Sequence, residues 1–207
     1  MSVFRNLKSF NRKERFYVVQ LALGGTASKL SLSFRQAVDK VLGTKIPEDH
    51  FYAIDYHLDW LYAAIIMDGF EDDKHIEPNL ARIIKGNQED IDLLIAYEEA
   101  DVTHIIALEA KGVTGWSNEQ LDSKAKRLIA IFGNECSNVS NVKPYLGLLS
   151  PKKPVHVSTT KWANWMHNSG NIAWLELPLR EGLKRVVRTD SAGRPSQGGV
   201  FWRVMRG

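Results

Sequence analysis

An acid and an amine lie two residues apart near the middle of the chain. Glu109 and Lys111 end the segment 103–111, which begins with an apolar run and stops at Gly112. This composition predicts a β-strand. Side chains two apart on a strand share one face, so both charged groups would point the same way. Charges at the edge of a core are costly unless they are paired or bind a metal ion, so the spacing indicates an ion pair or a metal site.

A second acid is expected to lie opposite Glu109. Segment 91–97 predicts another strand, and the polar residues 98–101 predict the turn of a hairpin. If the turn centres between Ala100 and Asp101, facing residues have numbers that sum to 201, and Asp92 faces Glu109. A slip of one residue would put them on opposite faces. Two facing carboxylates repel each other, and a divalent cation such as Mg²⁺ would remove that penalty.

A simpler interpretation competes with a metal site, and Asp90 is a rival to Asp92 as the second acid. Glu109 and Lys111 could form a weak ion pair at an exposed strand end. Asp90 shares the predicted face of Asp92 but lies outside the apolar run. A metal site at Asp92 and Glu109 therefore requires the predicted register of the hairpin.

The flanking sequence predicts the elements that would position this hairpin. Before it, we expect a strand at 16–23, a helix at 31–42 ended by Gly43, a helix at about 48–67 and a short helical stretch at 78–84 before the turn Gly86-Asn87. After it, Ser117 and Gln120 fit a capping box that opens a helix running to Phe132. The remaining predictions are strands at 145–149, 172–177, 185–189 and 200–205 and a helix at 160–167.

The composition is that of an ordinary globular protein. The 207 residues are 44% apolar and 25% charged, with a formal net charge of +3. We expect one α/β domain over 1–207, with a mixed central sheet flanked by helices. The single cysteine, Cys136, excludes a disulfide within the chain and a cysteine-based zinc site. No apolar run approaches the roughly 20 residues of a membrane helix, so we expect a cytoplasmic protein with no membrane partner.

Asp92 in Ile-Asp-Leu-Leu-Ile, Glu109-Ala-Lys111-Gly112 and the capped helix that follows resemble the PD-(D/E)xK, or restriction endonuclease-like, nuclease superfamily. The resemblance covers a core of about 48–149, and 150–207 would add further strands and a helix. Ile91 stands where the motif name has proline. The resemblance implies a nuclease dependent on Mg²⁺ or Mn²⁺, most simply an endonuclease on DNA. A homodimer would supply two sites for cutting both strands.

The resemblance also implies a role for each matching residue. Asp92, Glu109 and the backbone carbonyl of Ala110 would hold the metal, and Lys111 would orient or deprotonate the attacking water. Asp55, on the predicted helix before the hairpin, is the candidate for a further acid. Gln120 has a complete explanation as a capping residue, but it lies on the same side of its helix as Lys124 and would then be near the site.

Basic residues provide the second functional hypothesis. Lys124 could contact a phosphate, and the C-terminal segment concentrates positive charge. A non-catalytic nucleic-acid-binding module on the same fold is the alternative to a nuclease, and a protein whose charged strand ends are only surface is a third hypothesis. The C-terminal candidates for nucleic-acid contact are Lys184, Arg185, Arg188 and Arg203.

Overall fold

The structure is a computed structural model that describes residues 2–23, 29–67, 76–80, 82–83, 89–112, 115–179 and 182–206. Its helices are α1 (Val3–Ser9), α2 (Glu14–Ala22), α3 (Leu32–Leu42), α4 (Leu58–Ile66) and α5 (Asn118–Phe132). Its longer strands are β1 (Phe51–His57), β2 (Asp90–Glu99), β3 (Val102–Ala110), β4 (Val142–Ser150), β8 (Lys184–Thr189) and β9 (Phe201–Arg206). The short strands are β5 (His167–Asn168), β6 (Asn171–Ile172) and β7 (Trp174–Glu176).

A five-stranded mixed sheet forms the centre of the protein, in the order β1-β2-β3-β4-β7. Strands β1, β2 and β3 are antiparallel, whereas β4 and β7 run parallel to β3. Helices α1, α4 and α5 bury apolar side chains in one core cluster, and α3 contributes to a second one. The predicted α/β class, with a mixed sheet flanked by helices, is confirmed.

The helix predicted at 48–67 is wrong in its first half. Residues Phe51–His57 form strand β1, and only Leu58–Ile66 form helix α4. In β1, Phe51 and Ala53 are buried while their neighbours are less so, which is the alternation of a strand. The aromatic and β-branched residues of this segment favour a strand, and the helical spacing of α4 continued into it by coincidence.

Two further predictions are wrong. Residues 16–22 belong to helix α2 and Leu23 caps its C-terminal end, which places Phe16 against Tyr52 of β1 with ring centroids 5.3 Å apart. The valines there would suit a strand, but strand preference depends on having a partner strand, and a helix satisfies its backbone hydrogen bonds internally. The helix predicted at 160–167 is only a 3₁₀ turn, Asn164–Met166.

Other predictions have mixed outcomes. The helix at 31–42 is confirmed, with the Ser31 hydroxyl accepting from the Phe34 N–H and Gly43 in the left-handed conformation at its end. The two C-terminal strands are confirmed as β8 and β9. The stretch 78–84 contains no helix in its described part, and Gly86-Asn87 lies outside the described residues. No helix among the described residues is long and apolar enough to cross a bilayer.

Asn6 joins α1 to the end of α4. Its side chain is fully buried, and its Nδ2 donates to the carbonyls of Ala64 at 3.0 Å and Met67 at 2.8 Å. These carbonyls lie in the last turn of α4 and just beyond it, where helix carbonyls have no partner within the helix. A side chain far away in sequence therefore completes the hydrogen bonding of this helix end.

Replacing Asn6 by leucine is expected to lower the free energy of unfolding by about 2 kcal/mol, because two carbonyls lose their donor in a buried setting. Chemical denaturation would measure the loss. The exposed Asn11 provides a matched control, and Asn11→Leu is expected to change stability little. Equal losses in the two variants would show that the Asn6 hydrogen bonds do not stabilise the fold.

Candidate metal-binding site

The β2–β3 hairpin has the predicted register. Ala100 and Asp101 have φ values of 49° and 65°, as the two central residues of a tight hairpin turn require. Leu93 pairs with Leu108 and Leu94 with Ala107, so the facing numbers sum to 201. Continuing this ladder by one residue brings Asp92 opposite Glu109. Asp92 is held there because its Oδ2 accepts the backbone N–H of Ala110 at 2.7 Å.

Glu109 is a largely buried acid, with only 13% of its side chain exposed. Burial raises the pKa of Glu109 to about 7, the Lys124 ammonium lowers it, and the nearby Asp92 and Glu89 carboxylates raise it. Its Oε1 is buried and lacks a hydrogen bond, although Lys124 Nζ lies 3.1 Å away. Lys124 and Glu109 therefore form an ion pair. The Glu109 carboxylate thus lies close to both the Lys124 ammonium and a second acid, Asp92.

Lys124 is the counter-ion of this acid. It is only 8% exposed and extends from α5, where it shares the apolar face of Leu121, Ala125 and Leu128. Its ammonium also donates to the backbone carbonyl of Asp90. The sequence predicts that Lys124 contacts either the site or a phosphate, and the structure places it against Glu109 of the site, although its burial as a counter-ion was not predicted. A lysine inside a helix's apolar stripe is the signal that could have revealed it.

A second group of charges lies around the start of β2. Asp90, the rival of Asp92, has its Oδ2 3.0 Å from Lys13 Nζ and its Oδ1 2.6 Å from His57 Nδ1. Asp90 therefore already has two charged or polar partners, whereas Asp92 has no ion pair within the described residues. Sequence reasoning missed both partners of Asp90, since they come from α2's N-terminal cap and the end of β1.

Glu89 is a further acid that sequence reasoning missed. Its Oε1 accepts from Ser123 Oγ at 2.7 Å and lies 3.2 Å from Arg127 Nε, so α5 holds it from two positions. Its other oxygen is buried and has no hydrogen bond. Ser123, Lys124 and Arg127 lie together on α5 and would hold Glu89 and Glu109 in place.

Asp55 does not lie on a helix, which corrects the predicted location. It lies in β1 with a φ of 52°, between Ile54, which pairs with Leu93, and Tyr56, which pairs with Ile91. The register therefore brings Asp55 level with Asp92, although the positive φ interrupts the ladder there. Its Oδ2 is 3.1 Å from Arg15 Nη2, an ion pair with α2. Asp55 is near the site but has a partner of its own.

Lys111 and Gln120 lie on either side of a loop whose residues 113–114 are outside the described part. The Lys111 N–H donates to the Leu149 carbonyl at 2.8 Å, which extends the β3–β4 pairing past Glu109. Gln120 is exposed on α5. The predicted capping box is not formed: α5 begins after Ser117, but the Ser117 side chain makes no cap hydrogen bond. Instead Asn118 Oδ1 accepts from the Ser158 N–H at 2.9 Å.

Two carboxylates suit a magnesium ion, which takes one or two of them together with water and substrate phosphate. The Asp92 oxygen that does not accept the Ala110 N–H and the carboxylate of Glu109, which is paired with Lys124, are the candidate ligands. The Ala110 N–H points to Asp92, and since the N–H and C=O of a strand residue point to the same side, the Ala110 carbonyl is expected to face Asp92 too. Three or more acidic, histidine or cysteine side chains do not converge on a metal position anywhere in the described residues.

No family model, curated protein or solved structure matches this chain.

The titration of Glu109 predicts how stability depends on pH. The folded state holds this proton up to about pH 7, whereas the unfolded chain releases it near 4.5. Between these values the folded protein binds more protons, so its free energy of unfolding falls as pH rises, by roughly 3 kcal/mol in total, and levels off above pH 7.

Glu109→Gln removes this titration. The stability of the variant relative to wild type is expected to increase between pH 4.5 and 8 in metal-free buffer, as denaturation at several pH values would show. The exposed Glu119 on α5 serves as a control, and Glu119→Gln should give a difference that does not vary with pH. A constant difference for Glu109→Gln as well would exclude the raised pKa.

Proposed function

We propose that this protein is a Mg²⁺- or Mn²⁺-dependent nuclease, most simply an endonuclease on DNA, with a restriction endonuclease-like core. The observation that carries the proposal is the position of Asp92 beside the largely buried Glu109 at one end of the β2–β3 hairpin. The order of elements supports it, because β2, β3, α5 and β4 follow one another as the resemblance implies, with β4 parallel to β3.

Each residue of the site would have its own role. Asp92 and Glu109 would bind the cation together with the Ala110 carbonyl. On α5, Lys124 forms an ion pair with Glu109, and Ser123 donates a hydrogen bond to Glu89. These two contacts hold α5 against the β2–β3 hairpin. Lys111 lies one residue beyond the end of β3 and would orient or deprotonate the attacking water. When bound, the divalent cation would supply Lewis-acid chemistry at the phosphate.

Cleavage assays with the purified chain test this proposal. Supercoiled plasmid and single-stranded DNA would be incubated with Mg²⁺, Mn²⁺ or EDTA, using wild type and Lys111→Ala. Cleavage by wild type that requires the cation and is lost in the variant is the expected result. Equal nicking by both proteins would show that a contaminant is responsible and would overturn the proposal.

A non-catalytic nucleic-acid-binding module is the second candidate. The basic β8–β9 segment favours it, because nucleic-acid binding needs only charge and shape. Salt-sensitive DNA binding without any nicking in Mg²⁺ or Mn²⁺ would select this candidate over the nuclease.

A further inference from the structure

The C-terminal strands β8 and β9 form a two-stranded ribbon that is not part of the central sheet. They pair in a continuous antiparallel ladder from Lys184–Arg206 to Thr189–Phe201. Large apolar side chains on the ribbon are exposed, and Trp202 retains 67% of its accessible surface. An isolated ribbon with exposed apolar side chains is only marginally stable, and such surfaces usually mark a binding site.

The ribbon also concentrates the positive charge of the protein. Residues 182–206 contain six basic side chains and one acid, which gives a formal charge of +5. The whole chain has a net charge of +3, so the remainder is −2. The net charge is therefore separated: the excess positive charge lies on 182–206, while the rest of the chain, with 21 basic and 23 acidic residues, is close to neutral. Such a separation creates a field that attracts polyanions.

Two arginines of the ribbon, Arg188 and Arg203, are not used in ion pairs within the described residues. Arg188 stacks over Trp202 at 5.4 Å from the ring centre, and its Nη1 donates to the Gln197 carbonyl at 2.9 Å. Arg203 Nη1 donates to the Gly193 carbonyl at 3.2 Å. The one acid, Asp190, instead accepts the N–H groups of Ala192 and Arg194 in the connecting loop, both at 2.9 Å.

We propose that the β8–β9 ribbon binds duplex DNA by entering its major groove. The B-form major groove is wide enough for a two-stranded antiparallel ribbon, whereas the major groove of A-form RNA is too narrow for side chains to read. Arg188 and Arg203, which have no carboxylate partner in the described part of the chain, can contact phosphates and guanine edges, and the exposed apolar side chains can contact thymine methyl groups. The proposal rests on the proposed function, since it names the substrate-binding element of that nuclease, but the binding itself needs no metal and no cleavage.

Charge is the reason for choosing DNA over a second copy of the chain. Two such ribbons carry +5 each and would repel on contact, whereas a duplex carries one negative charge per roughly 1.7 Å of its axis. DNA can therefore neutralise the ribbon while covering its exposed apolar side chains.

Binding of the full chain to a short labelled DNA duplex in EDTA tests the proposal, with fluorescence anisotropy as the readout at several salt concentrations. The variant Arg185→Gln/Arg203→Gln removes two exposed charges from one face of the ribbon. The control Arg5→Gln/Lys40→Gln removes two exposed charges from α1 and α3. We expect the ribbon variant to bind at least about tenfold more weakly at physiological salt. Its plot of log K against log[salt] should be less steep, with the magnitude of the negative slope reduced by about 2, while the control stays close to wild type.

The outcomes separate the two proposals. Equal binding by both variants would overturn the ribbon proposal, and so would a ribbon variant that loses self-association in sedimentation while its DNA affinity is unchanged. Tighter binding to duplex RNA than to duplex DNA would also overturn it. A wild-type chain that binds duplex through the ribbon but never cleaves it in Mg²⁺ would support the ribbon proposal and remove the nuclease.

Discussion

Asp92→Asn and Glu109→Gln are each expected to lower metal-dependent cleavage by about 10³-fold or more. Each change removes one of two carboxylates from the cation, and stabilising the developing charge contributes several kcal/mol to such reactions, with each 1.36 kcal/mol worth a factor of ten. The replacements keep the shape of the side chains. The amide oxygen introduced by Asp92→Asn could still accept the Ala110 N–H, so the hairpin end should be unchanged.

Measuring stability together with activity distinguishes the loss of a metal ligand from the loss of the fold. Glu109→Gln should be inactive and yet no less stable than wild type at pH 8, because the cost of keeping a charge buried is gone. Glu98 provides the control, since it is an exposed acid at the opposite end of β2, and Glu98→Gln should cleave like wild type. Full activity in Asp92→Asn or Glu109→Gln would contradict the proposed site, and a loss of activity that follows unfolding would not support it.

Lys124→Met is expected to lower the free energy of unfolding by about 3 kcal/mol at pH 8 and by clearly less at pH 5.5. At pH 8 Glu109 is ionised, and removing its counter-ion leaves a carboxylate in a largely buried place with no compensation. At pH 5.5 Glu109 is mostly protonated, and the variant loses mainly the hydrogen bond to the Asp90 carbonyl.

Thermal or chemical unfolding at the two pH values measures this difference. Lys126 lies on the exposed side of the same helix, and Lys126→Met should have little effect at either pH. A double-mutant cycle with Glu109→Gln isolates the pair, because Lys124→Met should cost much less once the acid is gone. A loss that is the same at both pH values, or the same with and without Glu109, would show that Lys124 acts only through packing.

The hairpin could be predicted from the sequence because its determinants are local. Two apolar strands are joined by a short turn, and the turn centre alone sets which residues face each other. The register that brings Asp92 level with Glu109 follows directly. The helix at 31–42 was predictable for the same reason, since its serine cap and terminal glycine are adjacent to it in sequence.

The elements that were mispredicted depended on tertiary partners. Segments 16–23 and 51–57 are both short and apolar, and their composition does not distinguish a helix from a strand. Phe51–His57 forms a strand because it pairs with β2, whereas segment 16–23 packs on β1, mostly as helix α2. Because β1 was predicted as a helix, Asp55 was predicted to lie on that helix. In the structure, the pairing of β1 with β2 brings Asp55 level with Asp92.

The sequence by itself predicted Asp92 and Glu109 as candidate site residues and the register that brings them to one end of the hairpin. Only the tertiary structure decided how each charge is compensated. Lys124 reaches Glu109 from α5, Lys13 and His57 reach Asp90, and Arg15 reaches Asp55. The physical reason is that an ion pair depends on distance and burial, and residues far apart in sequence come within a few ångströms only when the helices pack on the sheet.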